Sequence, residues 1–398
     1  MKISKQPLII ALVIYVLSAV SSFAAFSMFG GPLSGPQTVV VEEGEEETML
    51  GALLDIQPGA PKNQECPING KMYTQAERNA WETRRPLAVM IENSPDARPQ
   101  SGLSDADVIF EAVAEGGVTR FMGIFYCGVQ NFDTTLAPIR SARTYFIEYA
   151  SGFNFPLYTH VGGANLPGPV NALGQLNDYG WTGENNLNQF SIGYPTFVRD
   201  YNRVPGKEIA TEHTMVTTTE KLWAVAEDRE WTNTPPERLS KSKTIPQGNW
   251  WENYESWAFG EAPSESGSVT DVNYDFWSGY NQYSVAWEYD AESMTYKRIL
   301  AGEPHVDMNN DEQIGAANVV VLKTTERGPL DELKHMMYDT IGTGDALIFQ
   351  YGNVIEGTWS KKSRTAELQF LDERGNPVEM ARGLTWISVV SKTNDVAY

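Results

Sequence analysis

Glu111, Glu115 and Arg120 are the first residues of this chain whose types and spacing could do chemistry. Val108 to Ala114 and Val118 to Tyr126 read as strands on either side of Gly116-Gly117, a hairpin turn. A two-residue turn pairs Glu115 with Val118 and Val113 with Arg120. Alternation then puts Glu111, Glu115 and Arg120 on one sheet face. A guanidinium on such a face can hold an anion or orient a carboxylate. The competing reading is a solvated face with a cross-strand ion pair.

Arg140-Ser141-Ala142-Arg143 adds two more cations. Ser141 is positioned to cap a helix over 142–150. Two arginines at a helix N-terminus oppose its macrodipole. They call for carboxylates, for which Glu111 and Glu115 are candidates, or for a bound anion. His160 ends a strand directly before Gly162-Gly163, where backbone amides can approach a ligand. His213 follows Glu212 in a polar stretch. Each histidine also fits a purely structural hydrogen-bonding role. Together these residues outline a polar crevice lined by Glu111, Glu115, Arg120, Arg140, Arg143, His160 and His213.

Other chemistries lack their residues. The histidines at 160, 213, 305 and 335 have no ligand spacing, so no metal is expected. Asp307, Asn309 and Asp311 have the odd-position spacing of a calcium loop. Glu312 stands where the turn glycine belongs, however, and Asn318 where the closing glutamate belongs. A polar hairpin tip is the better reading. There is no Gly-x-Ser-x-Gly elbow, Walker loop or dinucleotide fingerprint, and no cofactor is expected. The net charge of −21 repels phosphodiester backbones, which argues against nucleic-acid binding.

The elements that must position these residues divide the chain. Lys2 and Lys5 precede a stretch, 6–41, without a charged residue. Within it, Pro7 to Phe29 is mostly apolar and long enough to span a bilayer. The basic flank would stay in the cytoplasm and the rest of the chain would lie outside, single-pass. Ser22-Phe23-Ala24 resembles a cleavage site, so removal and secretion is the alternative. The apolar run continues past that site, which favours an anchor. We therefore expect an anchor or signal segment at 1–30 and an acidic, Gly- and Pro-rich stalk at 31–65. A mixed α/β domain at 66–230 follows. Residues 231–268 form an aromatic, Pro-rich linker or excursion, and 269–398 a β-rich domain. The fold class is α+β. One helix, Leu330 to Asp339, is expected to interrupt the C-terminal strands. Trp250, Trp251, Tyr254 and Trp257 could stack on sugars or wedge the two domains together. Cys66 and Cys127 are the two cysteines. Outside the membrane they invite a disulfide stapling the N-terminal lead to the sheet, with two free thiols as the alternative.

A set of motifs in order carries a resemblance. In the first half these are Arg85-Pro-Leu-Ala-Val-Met-Ile-Glu-Asn93, Ala97-Arg-Pro-Gln-Ser-Gly-Leu103, Ala106-Asp-Val-Ile-Phe-Glu111, Glu115-Gly-Gly-Val-Thr-Arg120 and Arg140-Ser-Ala-Arg143. In the second they are Tyr296-Lys-Arg298, His305-Val-Asp307, Asn318-Val-Val-Val321, Gly344-Asp-Ala-Leu-Ile-Phe349, Gly357-Thr-Trp359 and Gly383-Leu-Thr-Trp-Ile387. Over residues 66 to 398 the chain resembles the YerB-like family of bacterial lipoproteins. The resemblance implies an envelope protein with an N-terminal domain and a β-rich C-terminal domain, and it implies no reaction. Two departures matter. Members often begin with a lipid-attachment cysteine, and this chain has none before Cys66, so a membrane helix would do the anchoring. Members tend to carry Pro-His-Asn where this chain has Glu212-His213-Thr214, which loosens any role for His213.

Three functions follow as expectations. The first is a non-enzymatic envelope protein binding a cell-wall component or cell-wall enzyme through the crevice. The second is a peptidoglycan-directed hydrolase or transferase with Glu111 or Glu115 as general acid or base and His160 assisting. The nearby arginines oppose it by favouring the ionised carboxylate. The third is a protein-interaction scaffold using the aromatic excursion and the β-domain.

Overall fold

The computed structural model describes residues 52–236, 238–240, 243–245 and 248–398, without the side chains of 237–247. The expected anchor at 1–30 and the first part of the expected stalk, 31–51, lie outside the described residues. Among the described residues no helix is long and apolar enough to cross a membrane. In the described part of the stalk, the Leu53 N–H donates to the Asn131 carbonyl at 2.8 Å.

In the N-terminal half, α1 (Gln75–Trp81) is followed by β1 (Leu87–Glu92) and the hairpin β2 (Val108–Glu115) and β3 (Val118–Phe125). Next come α2 (Thr144–Ala150), β4 (Leu157–His160), α3 (Ala172–Asp178), β5 (Asn186–Asn188), the one-turn helix α4 (Gln189–Ile192) and α5 (Thr219–Asp228). The C-terminal half is nearly all strand. It holds β6 (Asp271–Tyr274), β7 (Val285–Asp290), β8 (Thr295–Leu300), β9 (Asn318–Thr324) and the long hairpin β10 (Gly342–Gln350) and β11 (Asn353–Lys361). It ends with β12 (Gln369–Leu371), β13 (Thr385–Ser391) and β14 (Val396–Ala397). The α+β class expected from the sequence holds.

The two halves share one sheet. Its ten strands run β12-β11-β10-β9-β13-β2-β3-β1-β4-β5. Strand β13 of the C-terminal half lies parallel to β2 of the N-terminal half, with Trp386 opposite Ile109 and Ser388 opposite Glu111. On its other side it is parallel to β9. Parallel strands covered on both faces need apolar side chains throughout. β1 is buried along its whole length, and Val319 to Leu322 and Trp386 to Val390 are buried likewise. One face of the central sheet meets α2, where Phe110 stacks on Tyr149 at 4.9 Å. The other meets the second sheet, built on β6, β7, β8 and β14, where Trp386 meets Trp287 at 5.4 Å. Each such ring or branched side chain removed from water stabilises the fold by about 1.5–3 kcal/mol.

Three local expectations are corrected. Val113 pairs with Thr119, not Arg120, because a β-bulge between Val113 and Glu115 shifts the register and sets Arg120 opposite Ala112. The helix after Ser141 starts later, at Thr144, with Arg143 in extended backbone at its N-cap and no side-chain cap. Residues 330–339 form no helix. Lys334 has φ +61, and Met337–Tyr338 pairs as a short strand with Glu326–Arg327. The aromatics of 231–268 act as a wedge: the Trp250 indole donates to the Tyr126 hydroxyl at 2.8 Å, and the Trp257 indole to the Leu368 carbonyl at 2.6 Å.

Of the two readings of the cysteines, the bridge is the one present: Cys66 and Cys127 are joined across a sequence separation of 61. Beside it the buried Asp107 accepts from Tyr126 N–H at 2.6 Å, Cys127 N–H at 3.1 Å and the Asn69 amide at 2.5 Å. Burial outweighs these bonds and pushes its carboxyl up to about 7. A carboxyl raised in the folded state stabilises the fold while protonated, and that contribution is lost as pH rises through about 7. Asp107→Asn is neutral at every pH. Lowering the pH from about 8 to about 5 should therefore raise the thermal midpoint of the natural chain relative to this variant. Parallel midpoint profiles for the two proteins would contradict the assignment.

Candidate functional site

Glu92 ends β1, Arg120 lies opposite it on β3, and the bulge in β2 returns Glu115 to the same face. The segment before α2 adds Arg140 and Arg143. Its place is set by the Arg140 N–H donating to the Met90 carbonyl at 2.9 Å. The result is a chain of ion pairs. Arg120 meets Glu115 at 2.6 Å and Glu92 at 3.3 Å, Arg140 meets Glu92 at 2.5 Å, and Arg143 meets Glu115 at 2.5 Å. Three guanidinium groups thus share two carboxylates. Burial would raise the Glu115 carboxyl, but Arg120 and Arg143 outweigh it and hold the group down to about 2. For Glu92, Arg120 and Arg140 likewise outweigh burial, and its carboxyl sits below the usual range. Both are ionised, so one positive charge is left over. Arg120 is sealed at 1% side-chain exposure and Arg143 at 7%, whereas Arg140 is 27% exposed.

Arg140 opens onto a cleft of about 560 Å³. Ser141, Gly162, Gly163, Phe190, Arg199 and Thr211 share its wall, above an apolar floor of Ile139, Val161, Leu173 and Met215. Arg140 spends its Nε on Glu92, and both Nη groups are without a protein partner among the described residues. Arg199 anchors Nη1 on the Thr211 carbonyl at 2.5 Å. Glu212 is the acidic residue of the lining. Gly162 has φ +57, a conformation that favours glycine, and a Cβ there would sit 3.0 Å from the Phe190 ring.

Of the seven expected crevice residues, Arg140 lines the cleft, Glu115, Arg120 and Arg143 belong to the ion-pair chain beside it, and three sit elsewhere. Glu111 is fully buried on the opposite sheet face, with its carboxylate 2.8 Å from Arg298 of the C-terminal half. Register explains this: the bulge moves Arg120 from the Val113 row to the Ala112 row, so Arg120 and Glu111, now opposite Phe121, lie on opposite faces. His160 is fully buried, with Nδ1 2.6 Å from the Gly162 carbonyl and Nε2 2.6 Å from the Asn186 side chain. Burial lowers its pKa, and it holds the glycine corner from behind. His213 is nearly buried, 3.4 Å from Ser94 Oγ, and its neighbours Thr211 and Glu212 reach the cleft in its place. Glu92, Phe190 and Arg199 were missed by the sequence reading. Glu92 carried a signal, an acid closing an otherwise apolar strand.

The Glu111 pair is the centre of a second polar network, which locks the halves together. Glu111 also accepts from the Trp386 indole at 3.1 Å and the Thr119 hydroxyl at 2.9 Å. The Arg298 guanidinium lies 4.3 Å from the Trp386 ring and donates Nε to His305 Nδ1 at 3.0 Å. His305 Nε2 therefore carries the proton and donates to Gln100 at 2.9 Å. Burial and the adjacent Arg298 hold His305 well below the usual histidine range. Asp307 accepts from the Gly102 and Ser104 N–H groups at 3.0 and 2.8 Å, so the hairpin tip of the calcium-like spacing serves as a clasp.

Comparisons with known proteins cover both halves. The family model "Protein of unknown function (DUF3048) N-terminal domain" matches residues 73–232, and "Protein of unknown function (DUF3048) C-terminal domain" matches residues 272–387. The chain is 28% identical over 342 residues to the "Putative lipoprotein YerB" of Bacillus subtilis (strain 168), covering 84% of this chain and 89% of that relative. The crystal structure of the YerB protein from Bacillus subtilis matches with a TM-score of 0.65 at 25% identity, covering 84% of this chain and 100% of that one.

Removing one partner of a buried ion pair leaves an unpaired charge in a dry site. Glu111→Leu or Arg298→Met should each destabilise the fold by roughly 3–5 kcal/mol, and the apolar double variant Glu111→Leu/Arg298→Met by less than either. Denaturant titration measures all three. Additive losses in the double variant would contradict the coupling.

Proposed function

The chain belongs to the YerB-like DUF3048 family, and from that premise we propose that it is an extracytoplasmic envelope protein that binds an anionic cell-wall component in the Arg140 cleft. One observation carries the reading. A protein of net charge −21 concentrates three arginines on two carboxylates and turns the surplus toward a cleft, with both Nη groups of Arg140 open. A guanidinium with two free Nη groups suits the bidentate geometry of a carboxylate or phosphate. The Cys66–Cys127 bridge suits an oxidising compartment outside the cytoplasm. The relative named a lipoprotein supports attachment to a membrane, and in this chain the segment 1–30 would supply the tether.

The hydrolase reading has less support. Glu115 is held ionised by two arginines, Glu111 is sealed in an ion pair, and both ring nitrogens of His160 are engaged. None of these is poised to exchange a proton with a substrate.

The test uses the full chain in mild detergent, sedimented with purified cell-wall sacculi. Binding should weaken as salt rises, because a charge contact exposed to solvent is screened. Arg140→Gln should weaken it about tenfold or more, the size expected for a lost charge-assisted hydrogen bond, and it should also lower the thermal midpoint by taking a partner from the buried Glu92, so binding is measured well below that midpoint. Mass spectrometry of the supernatant should find no released fragments. Undiminished binding by the variant would refute the cleft, and released fragments would make the protein an enzyme.

A further inference from the structure

Phe190 lies at the cleft wall with 73% of its surface exposed. A lone exposed apolar residue is ordinary on a protein surface. The backbone that carries this one is held in place. Asn188 Oδ1 accepts from the Phe190 N–H at 3.2 Å and from the Gly162 N–H at 3.1 Å, tying α4 to the glycine corner. The ring leans over Gly162, where a side chain would meet it. Around it, the side chains of Ser141, Asn165 and Thr211 line the same cleft without a hydrogen-bond partner among the described residues. The wall therefore offers a positioned flat apolar ring, uncharged hydrogen-bonding groups and the Arg140 guanidinium within one cleft.

That combination matches a particular chemistry. A sugar ring has an apolar C–H face that packs on an aromatic ring and a rim of hydroxyls that seeks small polar side chains. A simple inorganic anion would use the arginine and leave Phe190 idle. A long acyl chain would leave the free hydroxyl and amide groups unpaired. We propose that the ligand of this cleft is an acidic sugar, stacked on Phe190 with its negative group on Arg140. The proposal rests on the anion-binding reading and adds the carrier of the charge. A carboxylated sugar and a sugar phosphate both satisfy it.

The experiment is isothermal titration of the full chain in mild detergent. The probes are N-acetylmuramic acid, glucose 1-phosphate, lactate, inorganic phosphate and the neutral N-acetylglucosamine. The acidic sugars should bind at least about tenfold tighter than the bare anions and than the neutral sugar. Whichever acidic sugar binds more tightly identifies the source of the charge. Phe190→Ala should remove that advantage while leaving anion binding intact, and Phe190→Trp should retain it. Arg140→Gln should weaken sugar and anion alike. Equal affinity for acidic sugars and bare anions, unchanged in Phe190→Ala, would overturn the sugar while leaving the anion site standing. Failure of every probe to bind the natural chain would overturn both.

Discussion

Glu111 and Arg298 meet at 2.8 Å with neither side chain exposed to solvent, one from each half of the chain. Moving two such charges out of water costs several kcal/mol per ion, and their attraction offsets this only when the remaining donors and acceptors are also satisfied. Here the Trp386 indole, the Thr119 hydroxyl and the neutral His305 do most of that work, and the indole rings flank the guanidinium. The pair forms in the arrangement where β13 lies against β2 and the second sheet covers that face. It therefore selects the alignment in which one ten-stranded sheet crosses both halves.

The cleft depends on the same sheet from its other face. The bulge that leaves Glu111 facing Arg298 returns Glu115 to the Arg120 side. A single irregularity in β2 thus divides two acids between two networks, one structural and one open to solvent through Arg140. Arg140 is held at the rim by Glu92, a buried residue at the end of β1 that also pairs with Arg120. A guanidinium so held would lose little entropy on taking up the anion proposed above. The envelope-binding reading rests on this arrangement.

Much of the secondary structure was legible. Leu87 to Ile91, Asn318 to Lys323 and Thr385 to Val390 are apolar runs of strand length, and each is a strand of the central sheet. Gly116-Gly117 marked the hairpin turn, and Thr219 to Asp228 appears as the helix its pattern indicates. The bulge was not legible, since alternation on its two sides looks regular until a residue is counted out. The helix expected over 330–339 failed because its apolar spacing competes with a left-handed residue at Lys334 and with the pairing of Met337–Tyr338 against Glu326–Arg327. Arginines 140 and 143 signalled a need for carboxylates. They did not reveal Glu92 as the partner of Arg140, because that pairing depends on which strands are neighbours. Arg298 lies 187 residues from Glu111, and no local pattern encodes a contact at that range.

The two halves form one cooperative body held by the sheet and its buried ion pair. Native-state hydrogen exchange of the full chain tests it most directly, through the backbone amides of β2 in the N-terminal half and β9 in the C-terminal half. Both sets should exchange through the same global opening, with one free energy and one denaturant dependence. Exchange of β9 and β10 through a separate, lower-energy opening while β1 and β2 stay protected would contradict it.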